Sequence, residues 1–244
     1  MQQGLEAVFA RLYGGLEGAR FERRSDLVVA VNPSFPIPQC NGPWVVADTE
    51  AAAAALAGAI AEVEAAGAWP WVQTRAGQHR AQRAARELGL THVEHIPGMA
   101  MRPGELVEPR PALEIGHVSP GETAAANAIL AASFETPTEL FDRFGERLAR
   151  IAEASWYVGR VDGEIVSTAV GFTVDGATGV FNVATAPERR GRGYGAALTA
   201  RAVRDGFEAG SRLAFLQASD AGHGLYRRLG FRDVEEYLLL TRPL

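Results

Sequence analysis

The sequence contains no lysine, and all 24 of its basic residues are arginine. Arginine by itself is therefore no evidence of function here, and only a cluster of arginines is informative. Together with the alanine runs, this composition favours a GC-rich bacterial source. The 29 acidic residues give a formal net charge of −5, and no basic face is visible outside residues 186–192. This charge distribution argues against nucleic acid as a partner.

Cysteine and long apolar runs are scarce as well. Cys40 is the single cysteine, which excludes an internal disulfide and a cysteine-based metal cluster. No grouping of His, Asp and Glu has metal-ligand spacing, so we expect no metal. There is no run of about 18 or more apolar residues, so we expect no membrane-spanning segment. The first residues lack the basic start and apolar middle of a secretory signal, so we expect a cytoplasmic protein.

The chain of 244 residues reads as two halves joined by the proline-rich, polar stretch 102–111. Hydrophobic periodicity alternates between helix and strand spacing in both halves, which predicts an α/β (α+β) protein. We expect an amino-terminal domain at 1–104, a linker at 105–111 and a second domain at 112–244. Asp-Gly pairs at 162–163 and 175–176 suit hairpin turns and predict three antiparallel strands in the second domain.

Coarse element boundaries follow from the same patterns. Helices are predicted at 5–16, 50–66, 78–88, 121–134, 138–152, 194–208 and 221–229. Strands are predicted at 27–31, 44–47, 71–74, 112–118, 156–161, 164–173, 179–185, 213–218 and 233–240, with an extended segment before Arg102.

The two halves resemble each other at several points. VQTRAG (72–77) resembles LQASDAG (216–222), and ELGLTHVEHIPGMAMRP (87–103) resembles RLGFRDVEEYLLLTRP (228–243). A degenerate internal duplication explains these matches; chance similarity between two alanine-rich strand–helix–strand units is the alternative. The first half has no counterpart of the RRGRGYG sequence at 189–195, so we expect only the second half to bind the ligand of that loop.

The segment RRGRGYG lies between a predicted strand and a predicted helix and holds three arginines and three glycines. The first amides of a helix have no internal hydrogen-bond partners, and the helix dipole adds partial positive charge there. Glycines allow consecutive amides to converge and an anion to approach the backbone closely. The segment therefore predicts a phosphate-binding loop at the start of a helix.

Two familiar phosphate motifs fit this loop poorly. A Walker loop ends in Gly-Lys-Ser/Thr, and the chain has no lysine. A dinucleotide fingerprint is satisfied formally by Gly191, Gly193 and Ala196, with Asp220 as a conceivable ribose ligand. However, four residues separate the strand from Gly191, and one further strand–helix–strand unit leaves no space for a six-stranded nucleotide sheet.

Residues 112–244 resemble the GNAT superfamily of acetyl-CoA-dependent N-acetyltransferases. The family motif Q/R-x-x-G-x-G/A stands here as Arg190–Gly195, preceded by V-A-T-x-P at 183–187. A second motif, LYRRLGF, stands at 225–231. The resemblance implies a mixed, largely antiparallel sheet flanked by helices, preceded by a smaller, degenerate GNAT-like domain. It also implies acetyl-CoA as co-substrate.

The resemblance further implies roles for individual residues. The amides of the glycine loop would hold the pyrophosphate of the coenzyme, the strand before it would pair with the pantetheine arm, and Tyr226 would protonate the departing thiolate. Ser219 stands near a position where many relatives carry Asn, and is expected to contact the coenzyme. The implied coenzyme-binding residues are Val183, Ala184, Thr185, Arg190, Gly191, Arg192, Gly193, Tyr194, Gly195, Ala196 and Ser219.

The sequence gives fewer indications of where the acceptor binds. The loop 32–44 is apolar and is interpreted either as packing between the halves or as a wall of the acceptor cleft. In the second interpretation Phe35, Cys40 and Trp44 line the cleft, and Glu135 and Asn182 are further candidates. A general base is not assigned: Glu135, Asp175, Asn182 and His223 are each near the expected cleft along the sequence.

These observations together predict direct transfer of acetyl from acetyl-CoA to an amine of a small molecule or peptide. We expect a monomer or homodimer. One alternative is a non-catalytic acyl-CoA-binding sensor or interaction module. Others are a tandem acetyltransferase resembling mycothiol synthases, and hydrolysis or decarboxylation of an acyl-CoA by the same fold.

Overall fold

The computed structural model describes residues 1–35 and 40–243, apart from the side chain of Phe144. The chain forms two compact units. The larger unit comprises residues 1–8 and 99–234, and the smaller unit comprises residues 9–98 and 235–244. These units differ from the predicted domains at both ends of the chain, because each unit includes a terminal segment from the other half of the sequence.

Helices and strands alternate along most of the chain. The helices are α1 (Gln2–Tyr13), α2 (Glu50–Ala65), α3 (His79–Glu87), α4 (Thr123–Phe134), α5 (Glu139–Leu148), α6 (Tyr194–Glu208) and α7 (Asp220–Leu229). The strands are β1 (Arg20–Arg24), β2 (Leu27–Val31), β3 (Gly42–Val45), β4 (Trp71–Arg75), β5 (His92–Met101), β6 (Glu114–His117), β7 (Ala154–Val161), β8 (Glu164–Val174), β9 (Ala177–Thr185), β10 (Leu213–Gln217) and β11 (Arg232–Thr241). None of the helices in the described parts of the chain is long and apolar enough to cross a membrane.

Among the described residues, strand β1 was not predicted from the sequence, and neither was the 3₁₀ turn at Pro187–Arg189. The residues of β1, RFERR, are mostly charged and exposed, so they lack the alternation of apolar and polar residues that marks a half-buried strand. It pairs antiparallel with β2, from Arg20 opposite Val31 to Arg24 opposite Leu27. A short, charged strand is typical of a sheet edge, where it discourages pairing with other chains.

In the larger unit, β6 to β9 form antiparallel neighbours in chain order, and β10 lies parallel to β9, followed by β5. The Asp162-Gly163 pair has φ values of 52° and 81°, and the Asp175-Gly176 pair has 50° and 74°. Positive φ at both central residues is what a two-residue hairpin turn of this kind requires. The two predicted hairpins are therefore confirmed.

Helix α6 packs closely on the sheet of the larger unit. A Cβ atom on Gly206 would lie 2.0 Å from Oγ1 of Thr178, so glycine is required for this approach of helix and strand. The core between the sheet, α6 and α7 includes buried side chains from all three, among them Tyr157, Leu198, Val203, Leu216, Leu229 and Phe231.

The smaller unit repeats part of this topology. Its strand order is β1-β2-β3-β4-β11, with β3 and β4 parallel and joined through α2, as β9 and β10 are joined through α6. Leu56 of α2, Ala85 of α3 and Leu240 of β11 meet in its core. The repeated strand–helix–parallel strand order favours the predicted internal duplication.

The predicted linker is a packed segment of the larger unit. The amide of Val107 donates to the carbonyl of Leu229 at 2.9 Å, at the end of α7. Glu108 accepts two hydrogen bonds from the guanidinium of Arg204, at 3.0 Å and 2.5 Å. Residues 105–111 therefore hold α6 and α7 and do not behave as a free connection.

Candidate active site

The glycine-rich loop forms the amino terminus of α6. After β9 the chain makes a short 3₁₀ turn at Pro187–Arg189 and then passes through Gly191 and Gly193, whose φ values are 77° and 81°. These left-handed conformations favour glycine over any residue with a side chain. No side chain caps α6 at Gly193, so its first amides keep their hydrogen-bonding capacity for another group.

The start of α6 lies against β9. A Cβ atom on Gly195 would lie 3.3 Å from Cγ1 of Val183 and 3.6 Å from Oγ1 of Thr185. Tyr194 and Ala196 are buried, with 7% and 9% of their surfaces exposed. Ala196 belongs to the core cluster, so it has only backbone groups to offer to a ligand.

The arginines of the loop have different surroundings. Arg189 forms an ion pair with Glu164 at 2.6 Å, and Arg192 is exposed. The Nε of Arg190 donates to the carbonyl of Thr185 at 3.2 Å, which ties the loop back to the end of β9. Arg190 is otherwise exposed, so its charge is accessible to an anion that binds at the helix start.

Strands β9 and β10 pair over only part of their lengths. Their parallel pairing runs from Leu213 opposite Ala177 to Phe215 opposite Gly179, although both strands continue. On its other side, β9 has a bulge: the register with β8 shifts between Phe181 and Ala184, and Asn182 has a φ of 51°. The predicted pantetheine-binding residues 183–185 follow this bulge.

Strand β9 therefore has two parts: residues up to Gly179 pair with both β8 and β10, and the residues after the bulge pair with β8. Beyond the bulge, Thr168 and Ser167 of β8 still pair with Ala184 and Thr185. In this part of β9, the edge that faces β10 lies beyond the last pair of the two strands, Phe215 with Gly179. An extended amide chain can hydrogen-bond to such an edge as a further strand would.

Tyr226 lies on α7 with its ring close to the first turn of the same helix. A Cβ atom on Gly222 would lie 2.8 Å from Cε2 of Tyr226, and the ring centroid of Phe231 is 6.0 Å away. Burial raises the pKa of Tyr226 to about 12, so the phenol is protonated at neutral pH. Within the described part of the chain, no group hydrogen-bonds to its hydroxyl. Tyr226 and Val183 pack against the same core cluster.

Ser219 is the N-cap of α7. Its hydroxyl oxygen accepts from the amide of Gly222 at 3.2 Å, so this side chain already has a structural role. The side chain is exposed, which leaves its hydroxyl proton available as a donor. A coenzyme contact of Ser219 stays a prediction.

The predicted general-base candidates have separate surroundings. Glu135 is exposed and ends α4 in a left-handed conformation with a φ of 53°. Asp175 lies in a hairpin turn, and Nε2 of His223 is hydrogen-bonded to Oδ1 of Asp233 at 2.6 Å. Asn182 alone among them lies beside the bulge of β9. Among the described residues, no three His, Cys, Asp or Glu side chains are grouped so that they could hold a metal ion.

The three predicted acceptor-cleft residues of the apolar loop lie in the smaller unit, while loop residues 36–39 fall outside the described residues. Trp44 is 2% exposed, and its ring packs edge-on against Phe9 and Phe21 at 4.7 Å and 5.1 Å. Phe35 is 9% exposed. Burial raises the pKa of Cys40 to about 12, so its thiol is neutral. These residues form packing contacts, and acceptor binding by them stays a prediction.

In the smaller unit, the end of β3 corresponds to the end of β9, and side chains of the same unit contact it. The Nε2 of Gln78 donates to the carbonyl of Val45 at 3.1 Å, and Nη2 of Arg75 donates to the carbonyl of Val46 at 2.6 Å. Gln78 is 5% exposed. The carbonyls at the end of β3 are therefore occupied by groups of the protein itself.

The helix start in the smaller unit is occupied too. The hydroxyl of Thr49 caps α2 by accepting from the amide of Ala52 at 3.0 Å, and it donates to Asp26 at 2.6 Å. Helix α6 has Gly193 at the equivalent position and no side-chain cap. Of the two repeated helix starts, the one at α6 is the one whose amides are free to bind an anion.

The sequence assigned no role to Gln217, the last residue of β10. Its Nε2 is buried and has no hydrogen-bond acceptor among the residues that the structure describes. The available signal was the pair VQTRAG and LQASDAG, in which a glutamine recurs at the same place in each half of the sequence.

Comparison with known proteins agrees with this architecture. Residues 125–231 match the model of the acetyltransferase (GNAT) family. A GCN5-related N-acetyltransferase from Kribbella flavida is similar in structure, with a TM-score of 0.72 and 24% identity over 98% of this chain and 95% of that one. No curated protein matches the sequence.

Two further solved structures share the architecture. A GCN5-related N-acetyltransferase from Sphaerobacter thermophilus aligns with a TM-score of 0.67 and 19% identity, covering 93% of this chain and 84% of that one. A putative acetyltransferase of the GNAT family from Novosphingobium aromaticivorans aligns with 0.58 and 16%, covering 98% and 99%. The fold is thus the GNAT fold, a largely antiparallel sheet flanked by helices. The match of residues 125–231 to the GNAT acetyltransferase family supports an acyltransferase.

Proposed function

We propose that the protein is an N-acetyltransferase that moves the acetyl group of acetyl-CoA directly to an amine of a small molecule or peptide. One observation carries the proposal: the uncapped, glycine-rich start of α6 lies against the part of β9 whose edge is open. An anion site next to a free strand edge suits a molecule with a pyrophosphate and an extended diamide arm.

In the reaction, the amine nitrogen attacks the thioester carbon, a C–N bond forms, the C–S bond breaks, and the nitrogen loses a proton. Donors are needed where the thioester oxygen gains charge, and a strand amide near Val183 is our candidate. The transfer needs no covalent intermediate on the protein. It requires both substrates to be held together near the bulge of β9.

Tyr226 is the proposed proton donor to the departing thiolate. Its pKa of about 12 makes it a weak acid toward a thiolate in water, whose thiol has a pKa of about 8.5. A thiolate bound in the same apolar surroundings is desolvated as well, which raises its own basicity.

We further propose that the amino-terminal part is a degenerate GNAT-like domain that binds no coenzyme. The contacts of Gln78 and Arg75 with the carbonyls of β3, and the Thr49 cap on α2, support this assignment. The catalytic role would then belong to the larger unit alone. We place the protein in the cytoplasm on the basis of its sequence.

The test is release of free thiol from acetyl-CoA in the presence of a panel of amines. Release that depends on one class of amine, with a matching acetylated product by mass spectrometry, supports the proposal. Release without amine dependence would instead indicate a hydrolase. Tight coenzyme binding without any release would indicate an acyl-CoA sensor.

A further inference from the structure

Gln217 faces the side of the larger unit's sheet opposite to α6 and α7. Successive residues of a strand point to opposite faces. Ala214 and Leu216 of β10 are buried in the core cluster with residues of α6 and α7, whereas the ring of Phe215 packs against Phe181 at 6.1 Å. Gln217 follows Phe215 by two residues and therefore shares its face.

Along β10, Gln217 lies just beyond the last pair with β9. The final pair is Phe215 with Gly179, and two more residues in this register bring Gln217 level with Phe181. Asn182, the bulge residue, comes next. Gln217 is therefore beside the opening between the two strands, at the level where the proposed function puts the thioester.

The Nε2 of Gln217 is shielded from water, and no described residue accepts a hydrogen bond from it. A buried donor without an acceptor is unfavourable, and such groups in native proteins are usually paired with water, an ion or a ligand. A glutamine amide neither gains nor loses a proton in this role, so Gln217 is not a general base. Its chemistry is that of a neutral donor, which suits a carbonyl oxygen.

We propose that Gln217 binds the amine acceptor through a carbonyl oxygen close to the reacting nitrogen. The acceptor class is then an amine with a neighbouring carbonyl group, such as an amino-acid amide or the amino terminus of a peptide. The helices that carry the coenzyme loop and Tyr226 lie on the other face of the sheet, so the two substrates would approach the thioester from opposite sides. This inference rests on the proposed acetyl transfer.

The smaller unit provides a matched control. Gln73 occupies the position of Gln217 in the repeated sequence, and its Nε2 is likewise buried without an acceptor among the described residues. Gln73→Leu removes the same group from the same kind of strand position. It separates the general effect of deleting a buried amide from an effect on the acceptor site.

The experiment compares two acceptors, an amino-acid amide and the alkylamine of the same length without the carbonyl. For Gln217→Leu we expect the KM of the amide to rise about fivefold or more, a typical value for one hydrogen bond. The KM of the alkylamine and the Kd of the coenzyme should stay unchanged. Gln73→Leu should change none of these three values.

Three results would overturn the assignment: an equal KM change for both amines, a weaker coenzyme Kd in Gln217→Leu, or the same KM change in Gln73→Leu. If Gln217→Leu does not fold, Gln217→Met keeps nearly the length of the side chain, removes the donor without adding a charge, and is judged by the same criteria. If the wild-type protein releases no thiol with any amine, acetyl transfer itself fails. The amide is then titrated into coenzyme-saturated protein, and equal affinity in wild type and variant rejects the Gln217 assignment.

Discussion

The ring of Tyr226 lies over Gly222, close enough that a Cβ atom at Gly222 would be 2.8 Å from Cε2 of the ring. The two residues are one turn apart on α7, so glycine at the earlier position determines where the phenol can lie. Any side chain at Gly222 would have to displace the ring. The proposed proton donor thus depends on a residue that cannot itself take part in chemistry.

Tyr226→Phe should lower turnover about 100-fold or more, because it removes the proton donor and leaves the ring in place. Coenzyme affinity should change little, since the proposed role involves the phenol only at the sulfur end of the coenzyme. Steady-state kinetics and calorimetric titration with coenzyme A measure the two effects. Unchanged turnover would contradict the role of Tyr226. Gly222→Ala should lower turnover as well, through displacement of the ring, while the hydroxyl is retained.

Gly193→Ala should weaken coenzyme binding, because it strains the left-handed backbone whose amides form the proposed anion site. Gly210 is the matched control: it also has a positive φ, 93° against 81°, and follows the other end of α6. Each alanine should cost about 1 kcal/mol of stability. If both variants bind coenzyme with wild-type affinity, the helix start is not the anion site.

Arg190→Glu should reduce coenzyme affinity by about 10- to 100-fold, the range for loss of a hydrogen bond to a charged group. It places negative charge at the loop and removes the contact with Thr185. Arg212→Glu makes the same charge change at another exposed arginine of the larger unit and should have a small effect. Equal losses in the two variants would mean that only long-range charge matters.

The chain should bind one coenzyme molecule, in the larger unit. Calorimetric stoichiometry measures this directly, and the Gly193→Ala and Arg190→Glu variants should bind more weakly without a residual tight second site. A second coenzyme per chain would show that Gln78 and Arg75 do not close the smaller unit's opening.

The stability of the larger unit should fall as pH decreases from about 4.5 to about 2. The backbone amide and hydroxyl of Ser119 donate to Glu122, and Arg160 pairs with it; together they lower its pKa from 4.5 to about 2. A carboxylate with a lowered native pKa contributes stability above its unfolded pKa, and this contribution is lost as pH falls toward the native value.

Denaturant unfolding at several pH values tests this. Glu122→Gln should lower the unfolding midpoint at pH 7 and flatten its dependence on acid pH, because the titrating group is gone. Glu114→Gln, at an exposed residue on β6, serves as the control. An unchanged acid dependence in Glu122→Gln would assign the transition to other carboxylates.

The sequence by itself determined most of the local structure. Glycines after β9 allow the positive φ seen at Gly191 and Gly193, and Asp-Gly pairs favour tight hairpins, so both features were indicated by the sequence. The motif at 190–195 and LYRRLGF at 225–231 indicated the family for the same reason: they encode local backbone geometry and the face of a short helix.

Only the tertiary structure decided which hydrogen-bonding groups can bind a ligand and which already have partners within the protein. Gln78 and Arg75 reach the carbonyls of β3 across the smaller unit, the segment 105–111 packs on α6 and α7, and residues 235–244 join the smaller unit. Such contacts join residues that are distant along the chain, and no local pattern records them. The same holds for Gln217. The sequence shows that a glutamine stands there, but the burial of its Nε2 without an acceptor among the described residues is a property of the folded sheet.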